Sequence, residues 1–295
     1  MRNTINLRLS WVNAWLLLTP AMILVIGFTH FPAVKTFWNS FFSTPRGKRP
    51  AVFTGLENYH YLLQDDIFWT VLKNNLLFSL GTVPTSVCIA LAMALWVNGK
   101  LHGRGFMRMA FFTPTVLPLI AVANIWLFYY TPGFGLIDQI RSLFGLPEQN
   151  WLGNPDYALA AVIVVAIWKE AGFFMVFYLA ALQSIPPNLR EAAQLEGASS
   201  WYFFRRVAFP LLMPTTLFVS VNAVINSFRL VDHIFVMTEG GPNNASSLLL
   251  FYIYETAFKF WETGYAATLT VVLVVLLSIF SVGQFFLVDK RIHYR

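Results

Sequence analysis

Charge is what this chain has least of. Only 12% of its residues are Asp, Glu, Lys or Arg, against about 25% in soluble domains. A surface so poor in charge cannot all face water. Cysteine is nearly absent as well: Cys88 stands alone in an apolar segment, which excludes an intrachain disulfide and a cysteine metal cluster and leaves packing as its expected role. The histidines, at 30, 60, 102, 233 and 293, show no His-x-x-x-His spacing, and no metal site is indicated. No Gly-x-x-x-x-Gly-Lys-Ser/Thr loop is present, so P-loop binding of ATP is excluded. Neither a Gly-x-Ser-x-Gly elbow nor a catalytic carboxylate pair is found. Internal repeats, heptads and low-complexity tracts are also missing.

What the sequence has in quantity is apolar surface: 57% of its 295 residues are hydrophobic and 17% aromatic. A membrane-spanning helix needs about 20 mainly apolar residues. Six stretches qualify, near 14–37, 72–97, 106–130, 157–182, 207–231 and 264–288. The expectation is an all-α integral membrane protein of six spans, folded as a single transmembrane domain over 1–295 with its core at about 72–288. Pro20, Pro84, Pro114 and Pro118 fall inside spans, where kinks are expected. Arg2 and Arg8 before the first apolar run resemble a signal peptide, but no small-x-small cleavage site follows, and the run is read as a retained span.

The formal charge of +6 does not point to nucleic acid, because the cations are scattered through short loops rather than gathered in a patch. They follow the positive-inside rule instead. With both termini cytoplasmic, Arg2, Arg8, Lys100, Arg104, Arg108, Arg190, Arg205, Arg206, Lys290, Arg291 and Arg295 lie inside. Lys35, Arg46, Lys48, Arg49, Lys73, Arg141 and Lys259 lie outside over a greater length, and the Arg46–Arg49 cluster runs against the rule.

Between the fourth and fifth spans lies a charged island, Ser184 to Arg206. Pro186 and Pro187 stop the helix before it. Asn188 is placed to cap a new helix, with Glu191 completing an approximate capping box. Gly197 lets the chain bend, and a short helix bearing Trp201, Tyr202, Phe203 and Phe204 returns to the bilayer. Glu191-Ala192-Ala193, then Gly197, then Val207-Ala208-Phe209-Pro210 resembles the EAA loop of bacterial ABC importer permeases, in which Glu-Ala-Ala, three residues, Gly and nine residues precede Ile-x-Leu-Pro. The resemblance implies a coupling helix over about 188–206 that seats in a cytoplasmic ATPase, with Arg190, Glu191, Ala192, Ala193, Glu196, Gly197, Ala198 and Pro210 as its key positions.

Two further runs carry the likeness along the chain. Gly55-Leu56-Glu57-Asn58-Tyr59, Asp65, Phe68-Trp69 and Asn74-Asn75-Leu76 are similar to a signature of carbohydrate importer permeases. Asp232, Thr238-Glu-Gly240-Gly241-Pro242, Tyr252-Ile-Tyr254 and Ala257-Phe258 are similar to the maltose-type branch, which includes sugar and sn-glycerol-3-phosphate permeases. Gly-Gly-Pro demands a sharp turn, and both glycines permit positive φ. Membership implies no cofactor on this chain, with ATP and Mg at two separate ATPase subunits. It implies a second permease subunit, an extracytoplasmic solute-binding protein, lipid around the spans and the bacterial inner membrane as the location. An ion-gradient-driven secondary transporter is the rival reading.

Polar residues inside spans face partners or a water-filled path. Asn222, Asn226, Arg229 and His233 recur at steps of four, three and four, which puts them on one face of a continuous helix. They either line a solute path or join helices by hydrogen bonds. Arg229 suits an anionic cargo, but pairing with Asp232 is the favoured expectation. In the fourth span, Trp168 stacks on a sugar or sits at the lipid interface. Of Lys169 and Glu170, one is expected toward the path and the other toward the partner permease. Around 136–144 a short amphipathic helix is expected in the loop that joins spans three and four.

Overall fold

The computed structural model describes residues 2–99 and 103–289; Lys100, His102, Lys290, Arg291, His293 and Arg295 lie outside them. In chain order the helices are α1 (Arg2–Val25), α2 (Phe31–Asn39), α3 (Glu57–Gln64), α4 (Asp66–Asn98), α5 (Arg104–Val116), α6 (Leu119–Tyr130) and α7 (Leu136–Leu143). There follow α8 (Pro155–Ser184), α9 (Pro187–Leu195), α10 (Ser200–Phe203), α11 (Phe209–Arg229), α12 (Asp232–Met237), α13 (Leu249–Tyr254) and α14 (Thr263–Asp289). Three π-turns interrupt the ladder, at Ile26–His30, Phe204–Ala208 and Glu255–Lys259. The second lies just ahead of Pro210, which cannot donate to the helix.

Among the described residues, five helical segments are long and apolar enough to cross a membrane: Asn13–Asn39, Asp66–Asn98, Pro155–Ser184, Ser200–Met237 and Thr263–Phe286. The third expected span departs from a single helix. It is the pair α5 and α6, bent by 101°, and six spans are reached only if that pair counts as one. The cause is local. Leu117 precedes Pro118 and is held extended, at φ −71° and ψ 137°, because a proline disfavours the α region in its neighbour. Helix continues through Pro20, Pro84 and Pro114.

The chain forms two compact units. One comprises residues 1–64 and 253–272, the other 65–252 and 273–295. In the first, the Asn58 amide donates to the carbonyls of Ser40 and Phe42, at 2.9 Å each, and the Tyr59 hydroxyl meets Ser40 Oγ at 2.8 Å. The Gly-Leu-x-Asn-Tyr run therefore ties α3 to the end of α2. Arg46 and Arg49 close a two-residue hairpin turn through reciprocal backbone bonds. Arg46 also pairs with Glu262 at 2.6 Å, so this cation, anomalous under the expected topology, is neutralised locally.

The second unit is built on α4 and α8. The inner face of α4 carries Phe78, Thr82, Ser86, Ala90 and Ala94, all buried and four residues apart. Small side chains at that spacing let two backbones approach in a lipid setting, where tight packing replaces the hydrophobic drive. Cys88 falls off this stripe and is exposed, so it does not pack in the core as expected. Ala90, Ala94 and Val97 meet Phe174, Met175 and Tyr178 of α8 and Leu212 of α11 in one apolar cluster.

The runs after α12 are also locked within this unit. Asn74 donates to the carbonyls of Asn244 and Ser247, at 2.7 and 3.2 Å, and Asn75 accepts from the amide of Leu249 at 3.1 Å. The Tyr252 hydroxyl donates to Asp65 at 2.6 Å. Of the two glycines in the turn only Gly240 has positive φ. The loop from 131 to 154 contains the expected short helix, α7. Its hub is Asp138, which is 4% exposed and accepts from the amides of Gly133 and Gln149 at 3.0 and 3.2 Å and from the Trp151 indole at 3.4 Å.

Candidate functional site

The charged island folds as a helix, a bend and a helix on the end of the longest span. α9 starts two residues earlier than a cap at Asn188 would place it. Pro186 is the N-cap, Pro187 occupies the first turn, and no side chain caps the helix. Proline is pre-organised for that first position and has no amide to satisfy there, so the Asn188–Glu191 box does not form. The C-terminus closes as a Schellman motif. Gly197 takes φ +73°, its amide bonds to Gln194 at 3.1 Å, and the Ala198 amide bonds to Ala193 at 2.9 Å. Only glycine enters that region without steric cost. Ser199 then caps α10 by accepting from Tyr202 at 3.2 Å.

No residue of α9 is buried, and Leu195 is 90% exposed. Arg190, Glu191, Ala192 and Glu196 are all exposed, whereas Ala193 and Ala198 are half-buried. These two alanines line a groove of about 410 Å³ with Arg190, Gln194, Asn98 and Phe204. The elbow thus presents a polar and apolar ridge outward and a recess behind it.

The expected polar face of the fifth span does not form a single stripe. α11 ends at Arg229, Leu230 is extended at ψ 110°, and α12 starts afresh at Asp232. His233 is 1% exposed, stacks on Phe78 with centroids 5.7 Å apart, and has neither ring nitrogen hydrogen-bonded among the described residues. Asn222 donates to Phe218 of its own helix at 2.8 Å. Arg229 and Asp232 are both exposed, and among the described residues they make no ion pair. The favoured pairing of Arg229 with Asp232 is therefore absent.

Of the four, and among the described residues, only Asn226 hydrogen-bonds to a neighbouring helix. Its amide donates to Glu170 Oε2 at 2.7 Å. A small cavity of about 20 Å³ adjoins them, bounded also by Thr82, Ser86 and Ser227. That volume accommodates about one water molecule and no sugar. Ser227 reaches Ser79 at 3.0 Å, so a polar seam runs between α4, α8 and α11. The sequence reading missed Ser79, Thr82, Ser86 and Ser227; the four-residue spacing of Thr82 and Ser86 was the signal that could have found two of them.

Lys169 and Glu170 diverge, as adjacent helical residues must. The Lys169 side chain turns to the bend between α5 and α6. Its amine donates to the carbonyls of Leu117, Pro114 and Thr115 at 2.6, 3.2 and 3.4 Å. Trp168 is 41% exposed and packs edge-on against Trp126 at 5.8 Å. Among the described residues no His, Cys, Asp or Glu cluster could hold a metal ion.

Residues 86–294 match the family model described as the binding-protein-dependent transport system inner membrane component. The chain belongs to this family of importer permeases. Within it, the chain is similar to the lactose transport system permease LacF of Rhizobium radiobacter, at 32% identity over 286 residues and 95% of each chain. It is also similar to the sn-glycerol-3-phosphate permease UgpA of Agrobacterium fabrum, at 31% over 281 residues, 95% of this chain and 96% of that one. The fold matches a permease chain of the bacterial alginate ABC transporter, solved with an alginate pentasaccharide-bound periplasmic protein, at a TM-score of 0.82 and 22% identity over 96% of both chains. This permease is accordingly a multi-pass membrane subunit of an ABC importer and not an enzyme, which decides against the secondary-transporter reading.

Proposed function

We propose that this permease imports a sugar, a polyol or an anionic derivative such as a glycerol phosphate, driven by ATP hydrolysis on two partner subunits in the cytoplasm. The carrying observation is the elbow at Gly197: a helix with no buried residue, closed by a Schellman motif and joined to the span that starts at Ser200. A rigid projection of this kind transmits force, because displacement of α9 must move α10 and α11 with it. Arg190, Glu191, Ala192, Ala193, Glu196, Gly197, Ala198 and Pro210 form the coupling surface in this reading. ATP and Mg belong to the ATPases, and this chain needs no cofactor.

The permease pairs with a second permease subunit, and an extracytoplasmic binding protein delivers the cargo. The whole chain serves as one transmembrane domain of the bacterial inner membrane with both termini cytoplasmic, an orientation supported by the excess of Lys and Arg in the loops on the α9 side. Trp168, Glu170, Asn222, Asn226, Arg229, Asp232 and His233 border the solute path when it opens, whereas Lys169 acts on the bent pair. The relatives that take lactose and sn-glycerol-3-phosphate support the cargo class.

The test is uptake by cells producing the full importer, against a panel of labelled disaccharides, polyols and glycerol phosphates. Gly197→Pro should abolish uptake with the permease still present in the membrane at its normal level. Normal uptake by that variant would overturn the coupling role, and uptake of none of the panel by the unaltered importer would overturn the cargo class.

A further inference from the structure

The bend between α5 and α6 leaves backbone carbonyls without their usual donors inside a membrane span. In an unbroken helix the Pro114 carbonyl accepts from residue 118, and Pro118 has no amide to give. Leu117 is extended, so the last turn of α5 cannot continue to serve Thr115. Orphan carbonyls are costly in lipid, where no water replaces the lost partner. They also form the negative end of the α5 dipole.

Lys169 answers this need. It lies near the middle of α8, and its amine reaches the carbonyls of Leu117, Pro114 and Thr115 at 2.6, 3.2 and 3.4 Å. An ammonium group has three N–H donors, and all three are taken. The approach is close by design of the backbone. A Cβ on Gly172 would stand 2.1 Å from the Phe111 carbonyl, and the Thr115 hydroxyl donates back to the Lys169 carbonyl at 3.4 Å. α8 and the bend are therefore fastened at three successive levels.

Broken helices in ion-coupled transporters direct unwound carbonyls at a diffusible cation. Here the carbonyls face a cation attached to the chain. We propose that Lys169 is a built-in cation, a positioning residue that fixes the bend at Leu117–Pro118 and makes α5, α6 and the middle of α8 move together during transport. Emptied of the side chain, the carbonyl cluster becomes a site for a small primary alkylammonium ion.

The experiment uses full-length permease in its assembled complex, with Cys88→Ser as background and spin labels at the exposed positions Met109 on α5 and Phe128 on α6. Lys169→Ala should shift or broaden the distance between labels by about 5 Å, one helical turn. Propylammonium should restore the original distance, and tetramethylammonium, which has no N–H, should not. An unchanged distance in Lys169→Ala overturns the proposal, as does restoration by neither ion or by both equally. If Lys169→Ala fails to accumulate in the membrane, accumulation is measured with propylammonium in the growth medium. Recovery supports the proposal and its absence overturns it.

Discussion

Asn226 donates to Glu170 across 2.7 Å, from one membrane span to another. The two residues are 56 positions apart in the chain, and Glu170 is half-buried beside a cavity that admits about one water molecule. Removing one member of such a pair costs more than the bond itself is worth, because the other is left desolvated. Asn226→Leu should destabilise the permease by about 2 kcal/mol, read as a lower melting temperature of the purified complex. Glu170→Gln, which keeps an acceptor for Asn226, should cost much less. Equal losses in the two variants would show that the hydrogen bond is not what matters.

Gly172 tests backbone approach rather than polarity. A methyl group there would meet the Phe111 carbonyl at 2.1 Å, and backbone cannot step aside as a flexible side chain can. Gly172→Ala should lower stability by about 1–3 kcal/mol. Gly105→Ala, with nothing within 4 Å of the added carbon, should be neutral or slightly stabilising. Thermal unfolding of the two side by side separates crowding from a general intolerance of substitution.

At Gly197 the constraint is conformational, since open space surrounds it but φ is +73°. Alanine in the left-handed region costs about 1–2 kcal/mol, asparagine less, and proline cannot enter it at all. Uptake should fall in the order Gly, Asn, Ala, Pro with constant membrane levels. Ala193→Leu, which intrudes on the groove behind α9, should also suppress uptake; a rank order indifferent to φ would remove the elbow's geometry from the explanation.

Asp138 gives a pH dependence. Burial raises its carboxyl, but the amides of Gly133 and Gln149, the Trp151 indole and the Arg141 charge together outweigh that and hold it below the ordinary carboxylate range. A folded value below the unfolded one stabilises the loop fully above the unfolded value, and the contribution is lost as pH falls through the folded one. Trp151 fluorescence should therefore report loosening of the loop only in acid. In Asp138→Asn the loop should be looser at neutral pH, with that acid transition gone.

The Arg46–Glu262 pair should matter little. Its side chains are 75% and 37% exposed, and exposed pairs contribute about 0–1 kcal/mol. Arg46→Ala should shift the melting temperature barely at all, and a large shift would mean that the hairpin turn depends on that charge.

By itself the sequence determined the membrane class, the positions of the apolar spans, the punctuation by Pro186, Pro187, Pro118 and Gly197, and the elbow before Ser200. Each of these follows from hydropathy or from backbone chemistry within a few residues, and such forces act whatever the rest of the chain does. Only the tertiary structure decided that the angle between α5 and α6 is 101°, that Lys169 serves carbonyls 52 to 55 residues away, and that Asn226 meets Glu170 while His233 is buried and bonded to neither. A polar side chain in lipid must find some partner, but which one it finds depends on helix packing, and helical spacing fixes only the face it starts from. The expected stripe failed for that reason at Leu230, where one extended residue ended the helix whose continuity the spacing assumed.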